Sequence, residues 1–280
     1  MRHLTLNNGV AMPVLGFGTY QITDSCQCEA CVIEAARLGY RLFDTAQAYG
    51  NEEAVGAGIK KCGVPREELF ITTKLWFRRY EAEDARASVL ESMRALGVDY
   101  LDLVLLHWPF GNTYAAWRVL EELYRAGAVR AIGVSNYAPS QLIDLISFNG
   151  IVPAVNQIET HLLSQQQDLR TLMRKHGVAH QGYAPFGQGM ADTMFSLPAV
   201  AEAAEAHGRS ARQVALRYLV QRGVAVIPRS VHAEHMAENA AIFDFSLTEG
   251  EMAALAALDT GRPFIGKPQD ATLAAFAMTW

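Results

Sequence analysis

Apolar and polar positions along this chain repeat in one order: a short apolar run, a polar loop, a longer amphipathic stretch, then a glycine. The runs that predict strands are Val14–Gly18, Tyr40–Phe43, LFITTK at 69–74, LDLVLLH at 101–107, VRAIGVSN at 129–136, PAVNQ at 153–157, GVAHQGY at 177–183 and GVAVIPRS at 223–230. LDLVLLH is too apolar to be half exposed, which points to a parallel strand buried on both faces. The helices between them have legible ends. Asp24 caps one that runs to about Leu38 and stops at Gly39, and Asn51 is a good N-cap for EEAVGAGIKKCG, closed by Gly63. Glu83 to Leu96 puts Val89, Leu90, Met93 and Leu96 on one stripe. Further helices are predicted over Thr113–Ala126, from Pro139 or Ser140 to Gly150 and from Ser164 to His176.

After Tyr183 the rhythm breaks. Residues 184–196 (APFGQGMADTMFS) read as an irregular loop, long enough to suggest a functional one, before helices over Pro198–His207 and Ser210–Arg222. IPRS at 227–230 opens the helix VHAEHMAENAAIF, and Thr248 with Glu251 makes a capping box for a terminal helix to Leu258. At the start, Asn8-Gly9 predicts a hairpin over residues 4–12, placed to cap the closed end of a barrel. The tail from Gly261 is expected to fold over the mouth.

Polar or ionisable residues stand at most of the strand ends. Asp44 follows one apolar run with Tyr49 in its loop, Lys74 ends the next 30 residues on, and His107 ends another 33 later. That interval is about one strand plus one crossover helix. Ser135 with Asn136, Gln157, Tyr183, and Arg229 with Ser230 end later runs. One such residue per unit is the layout of a (β/α)8 TIM barrel, whose site is built from the carboxyl ends of its strands. Taken alone, Asp44 reads as well as an acid tying its own turn, Lys74 as its buried partner and His107 as a satisfied core histidine; their joint placement is what favours catalysis.

Composition narrows the reading. At 280 residues, 50% hydrophobic and 19% charged, with no linker-like stretch, residues 1–280 fit a single barrel domain. A net charge of −5 offers no basic surface for nucleic acid. MRHLTLNNGV has no apolar signal core, and no run approaches the ~18 apolar residues of a membrane span, so the chain is expected to be cytoplasmic, without a membrane partner. Cys26, Cys28, Cys31 and Cys62 lack the paired spacing and nearby histidines of a metal site and are expected to be reduced, helix-packed thiols; no metal is expected.

GFGTY at 16–20, FDTAQAYGNE at 43–52, ITTKLW at 71–76, LLHWP at 105–109, GVSNY at 133–137, VNQIE at 155–159 and IPRS at 227–230 together resemble the aldo-keto reductase superfamily, and within it the bacterial 2,5-diketo-D-gluconate reductase type. Each motif is weak, but seven in order over nearly the whole chain are specific. The resemblance implies a (β/α)8 barrel that binds NADPH without a Rossmann fold and reduces aldehydes or ketones. It implies a catalytic tetrad of Asp44, Tyr49, Lys74 and His107. It carries Ser135, Asn136 and Gln157 onto the nicotinamide carboxamide and Tyr183 onto the ring face, with Gly18, Thr19, Asp44, Pro185, Phe186 and Gln188 as further cofactor contacts. At the adenine end it implies Arg229, Ser230, His235, Glu238 and Asn239. Tyr20, Trp76, His107, Trp108 and Trp280, or Phe276 in the tail, would line the substrate pocket. Arg229 stands where relatives often have lysine and His235 where they often have arginine. Ala184 replaces a common serine, and THLL at 160–163 departs from a common His-Pro. NADPH preference with measurable NADH use follows as the expectation, because Arg229 can grip a 2′-phosphate while His235 is a pH-dependent cation.

The chemistry asks for these residue types. Hydride arriving at a carbonyl carbon leaves charge on oxygen, so an acid must deliver a proton, and Tyr49 is the candidate. A cationic Lys74, held by Asp44, is expected to lower the phenol's pKa, and a neutral His107 can orient the carbonyl oxygen. Candidate substrates are 2-oxoaldehydes such as methylglyoxal, keto sugars such as 2,5-diketo-D-gluconate, and aromatic aldehydes. Three alternatives stay open: a Schiff-base lyase using Lys74, a nucleotide-binding regulatory subunit of reductase fold with little turnover, and a metal-dependent hydrolase. A monomer is the default expectation.

Overall fold

The computed structural model describes residues 2–265 and 270–279. Gly9, at φ +86°, makes the turn that pairs β1 (His3–Thr5) with β2 (Ala11–Pro13) in antiparallel register. The barrel then opens with β3 (Gly16–Gly18), α1 (Ser25–Arg37), β4 (Leu42–Asp44), α2 (Glu52–Lys61), β5 (Phe70–Leu75) and α3 (Ala82–Leu96). It continues with β6 (Leu103–Leu106), α4 (Thr113–Arg125), β7 (Ile132–Ser135), α5 (Pro139–Phe148), β8 (Val155–Glu159), α6 (Gln167–Lys175) and β9 (Ala179–Tyr183). There follow α7 (Ala191–Phe195), α8 (Pro198–His207), α9 (Ala211–Gln221), β10 (Ala225–Val226), α10 (Ala233–Ala240), α11 (Glu249–Ala256) and α12 (Ala271–Ala277).

Eight strands, β3 to β10, lie parallel in chain order, and a parallel bridge between Leu15 and Val226 brings the last against the first. This is the predicted (β/α)8 barrel. At the seam a Cβ on Gly18 would stand 2.9 Å from the Ile227 carbonyl oxygen, so the backbones meet as closely as they do only because the residue is glycine. Inward side chains such as Leu42, Phe70, Leu103, Leu105 and Val155 fill the barrel, and Leu6 and Met12 of the hairpin join that cluster as its plug. Asn7 and Asn8 tie the hairpin to the carbonyls of Pro153 and Arg130. A larger cluster between strands and helices, centred on residues such as Trp117, Leu120 and Tyr218, forms the outer core. No helix of the described residues is long and apolar enough to cross a membrane.

Helix ends follow their capping chemistry in most places. Asp24 accepts from Gln27 N at 2.7 Å, Gly97 takes φ +66° after α3, and Ser210–Gln213 and Thr248–Glu251 close capping boxes. Four local expectations need correction. Residues 184–196 are not wholly irregular, since α7 forms inside them and buries Met194. Leu90 is 42% exposed and lies off the buried stripe of Val89 and Leu96. The sixth helix begins at Gln167 rather than Ser164, because Gln166 takes φ +56° and interrupts it. Asn51 precedes α2 but its side chain makes no capping bond; it is drawn instead to loop carbonyls.

Candidate active site

The carboxyl ends of the strands surround a cavity of about 570 Å³. β4 delivers Asp44, β5 Lys74, β6 ends just before His107, and the single turn of 3-10 helix after β4 presents Tyr49. Asp44, Tyr49 and His107 line the cavity, whereas Lys74, 1% exposed, lies behind them. Lys74 Nζ donates to Asp44 Oδ1, to the Thr45 carbonyl at 2.9 Å and to Tyr49 Oη at 3.2 Å. Its three N–H groups are thus all engaged, and no lone pair is offered to a carbonyl. Asp44 Oδ2 accepts from Gln157 Nε2 at 2.7 Å, and Gln157 gives its second amide proton to Gln181 Oε1 at 2.9 Å.

Burial opposes both charges of the Asp44–Lys74 pair, pushing the acid's pKa up and the lysine's down, and their mutual attraction and hydrogen bond oppose that push. The Tyr49 phenol is held well above its ordinary pKa by burial, with Asp44 and Tyr20 adding to the effect. This corrects the expectation that Lys74 lowers it: Lys74 touches the phenol, but its charge is already answered by Asp44. The phenol is therefore protonated in the resting site. His107 is held well below its ordinary pKa by burial and then by Lys74, so its imidazole is neutral. Among the described residues its buried Nδ1 has no hydrogen-bond partner, and its ring stands edge-on to Tyr49 and Trp76 at centroid distances of 5.8 and 5.2 Å.

On the far wall, Ser135 Oγ donates to the Gln157 carbonyl, Asn136 Nδ2 to the His107 carbonyl, and Tyr183 Oη to Asn136 Oδ1 at 2.8 Å. All five of these residues line the cavity, as do Gly18, Pro185, Phe186, Gln188 and Arg229. Thr19 does not; it is buried and donates to the Asp44 carbonyl. Ser230, His235, Glu238 and Asn239 also lie outside the cavity, around the start and body of α10. Ser230 binds its own turn at His232, and His235 packs its ring 5.4 Å from that of His232. Glu238 sits 3.8 Å from Arg212, a cation on α9 that nothing in the local sequence linked to this end. Asn239 is 2% exposed, and among the described residues its Oδ1 has no donor.

Tyr20, Trp76 and Trp108 line the cavity, and Trp280 lies outside the described residues. The tail adds Ile265 and, from α12, Leu273, Phe276 and Ala277. Glu159, at the end of β8, accepts from the backbone N–H of Phe264 and, at 2.8 Å, of Ile265, and His161 braces it at 2.9 Å. Gln21, Gly189, Ile227 and Gln181 also belong to the site or its support and were missed. Gln21, Asn136, Ala184 and Gln188 are non-glycine residues at positive φ, and all four line this one cavity. Such conformations each cost on the order of 1–3 kcal/mol, and their concentration here marks a site held in shape by its surroundings. No cluster of metal-ligating side chains occurs among the described residues.

Residues 14–260 match the sequence profile of the Aldo/keto reductase family. The chain is 41% identical over 287 residues to morphine 6-dehydrogenase of Pseudomonas putida, covering 98% of this chain and 97% of that one. It is 41% identical over 255 residues to glyoxal reductase of Bacillus subtilis, covering 91% of each. A crystal structure of an aldo-keto reductase complexed with NADPH superposes with a TM-score of 0.88 at 35% identity, over 92% of this chain and 88% of that one. With its barrel, its strand-end cluster and a profile match over most of its length, the chain belongs to the aldo/keto reductase family of NAD(P)H-dependent oxidoreductases.

Proposed function

We propose that this chain reduces the carbonyl of aldehydes or ketones with NADPH, using Tyr49 as proton donor. The observation that carries this reading is the buried contact of Lys74 with both Asp44 and Tyr49, beside a neutral His107 on the cavity wall. NADPH, when bound, supplies the hydride. Ser135, Asn136 and Gln157 would hold its carboxamide and Tyr183 its ring; their polar atoms sit together on one wall, as such a group requires. Thr19 and Gly18 keep the adjoining backbone close. Toward the other end, Arg229 and Ser230 would meet the 2′-phosphate, and the unpartnered Asn239 Oδ1, beside Glu238, suits an exocyclic amine. His232, His235 and Arg212 are further groups there able to carry positive charge.

The chain's own part in the reaction is to place and move one proton. His107 orients the carbonyl oxygen toward the phenol, and Tyr49 Oη passes its proton to that oxygen as charge develops. Lys74, kept aimed by Asp44, stabilises the phenolate left behind. A high phenol pKa in the resting site keeps the acid loaded across the working pH range. Aromatic walls from Tyr20, Trp76, Trp108 and Phe276 favour 2-oxoaldehydes and aromatic aldehydes over highly hydroxylated sugars. The likeness to glyoxal reductase makes methylglyoxal the first substrate to try, and that to morphine 6-dehydrogenase argues for including a bulky ketone.

The test is NADPH oxidation with methylglyoxal and an activated aromatic aldehyde, wild type against Tyr49→Phe, with NADPH binding measured separately. Loss of a proton donor predicts a fall in kcat of roughly 10²- to 10⁴-fold with NADPH still bound. Nucleotide binding without turnover by either protein would replace this reading with that of a regulatory subunit. NADH run alongside should be used, but less well than NADPH; equal use, or none, would count against the role given to Arg229 and His235.

A further inference from the structure

A second cavity, of about 200 Å³, lies away from the mouth, between α6, the start of β9 and β1 of the hairpin. Arg170, Arg174 and His180 line it. Arg170 and Arg174 are one helical turn apart on α6, a spacing at which like charges face and repel each other. Arg170 is only 8% exposed, and among the described residues its guanidinium makes one hydrogen bond, to the Arg222 carbonyl at the end of α9. Arginine has five N–H donors, so most of its capacity is unspent. None of the salt bridges among the described residues involves Arg170, Arg174 or Arg222. Burial, and then the like charges of Arg222 and Arg174, push Arg170 down to about 10, against a smaller opposing effect of Tyr218. The negative carbonyl end of α6 accounts for Arg174 in its last turn, but not for a buried arginine a turn earlier.

His180 adds chemical selectivity. It is 4% exposed, and its Nε2 lies 2.8 Å from Thr160 Oγ1, whose own proton goes to the Ile158 carbonyl. With the Thr160 proton placed there, Nε2 carries the ring proton and Nδ1, buried and without a partner among the described residues, is left as an acceptor. A buried guanidinium with one protein hydrogen bond, an exposed guanidinium a turn away and a histidine with a spare acceptor, all lining one small cavity, suit an oxyanion that also carries a hydroxyl.

We propose that this cavity binds hydrogen phosphate, with its bare oxygens on Arg170 and Arg174 and its P–OH donated to His180 Nδ1. Sulfate has the shape and charge but lacks the proton for His180. The site is independent of the mouth and of the reaction proposed there.

Thermal unfolding at pH 7 in rising inorganic phosphate, sulfate or chloride at matched ionic strength tests it. The expected result is a saturable rise in unfolding midpoint with phosphate, of about 3 °C well above its dissociation constant, and a smaller rise with sulfate. Arg174→Ala, an exposed position where folding is not at stake, should abolish the saturable part, while Arg229→Ala, at the mouth, should retain it. A sulfate response equal to that of phosphate, a non-saturating rise shared by both variants, or loss in Arg229→Ala in place of Arg174→Ala would overturn the proposal.

Discussion

Lys74 and Asp44 are 1% and 2% exposed, and among the described residues each is the other's only opposite charge within hydrogen-bond reach. Removing one strands the other in a medium that penalises charge, at a cost of about 3–5 kcal/mol, whereas removing both restores balance. Asp44→Asn and Lys74→Met should each lower stability by about that amount in chemical denaturation, and the double variant should recover a substantial part. All three should lose most of their turnover. Additive losses in the double variant would mean that the two residues do not act as a pair. The sequence made this pair legible, because an acid and an amine at neighbouring strand ends meet across one hydrogen-bonded step. It did not make legible the direction of the Tyr49 shift. That depends on how far the phenol is desolvated and on whether the nearby cation is already neutralised, and both are properties of the packed site.

Among the elements, the loops after β3 and β4 are joined by Asn51. Its Nδ2 donates to the carbonyls of Thr19 at 2.9 Å and Ile22 at 3.2 Å, and its Oδ1 accepts from Thr45 Oγ1 at 2.8 Å. These loops carry Tyr20 and Tyr49, whose rings lie 5.0 Å apart. Asn51→Ala removes three buried hydrogen bonds, leaving the Thr19 carbonyl only its bond from Ile22 N–H, and should cost about 3 kcal/mol, roughly 1 kcal/mol for each bond. Its kcat should fall as Tyr49 loses its fixed position. A variant with wild-type stability and kcat would show that the stitch is dispensable. Asn51 looked like a helix cap because its type and its place before an acidic, apolar run fit that role. The competing carbonyls lie far off in sequence and invisible to local pattern. Most strands and helix ends were legible, since they rest on local periodicity and terminal glycines. What was not legible, such as Gln181 behind Gln157 and Arg212 beside Glu238, rests on contacts between units.

Across the whole molecule, two buried histidines are held neutral at opposite places, His107 at the mouth and His180 on the flank. Burial with Lys74 holds the first well below its ordinary range, and burial with Arg170 and Arg222 pushes the second down to about 3. An unfolded histidine titrates near pH 6.5, so below that pH the unfolded chain binds protons that the folded one refuses. Each histidine's contribution is therefore complete above about pH 7 and declines as pH falls toward its folded value, by at most about 1.4 kcal/mol per pH unit. In urea titrations from pH 7.5 to 4.5, His180→Gln should lose stability with falling pH less steeply than wild type. Parallel slopes would show that His180 gains its proton without resistance. The closed position of Lys74 has a further consequence for chemical labelling. To an amine-reactive ester, Lys60, Lys61 and Lys175 lie open, while Lys74 is shielded and spends all three N–H groups inward. Its acylation should lag far behind theirs, so the delay before a mass tag reaches Lys74 serves as a clock for how often the barrel mouth comes apart.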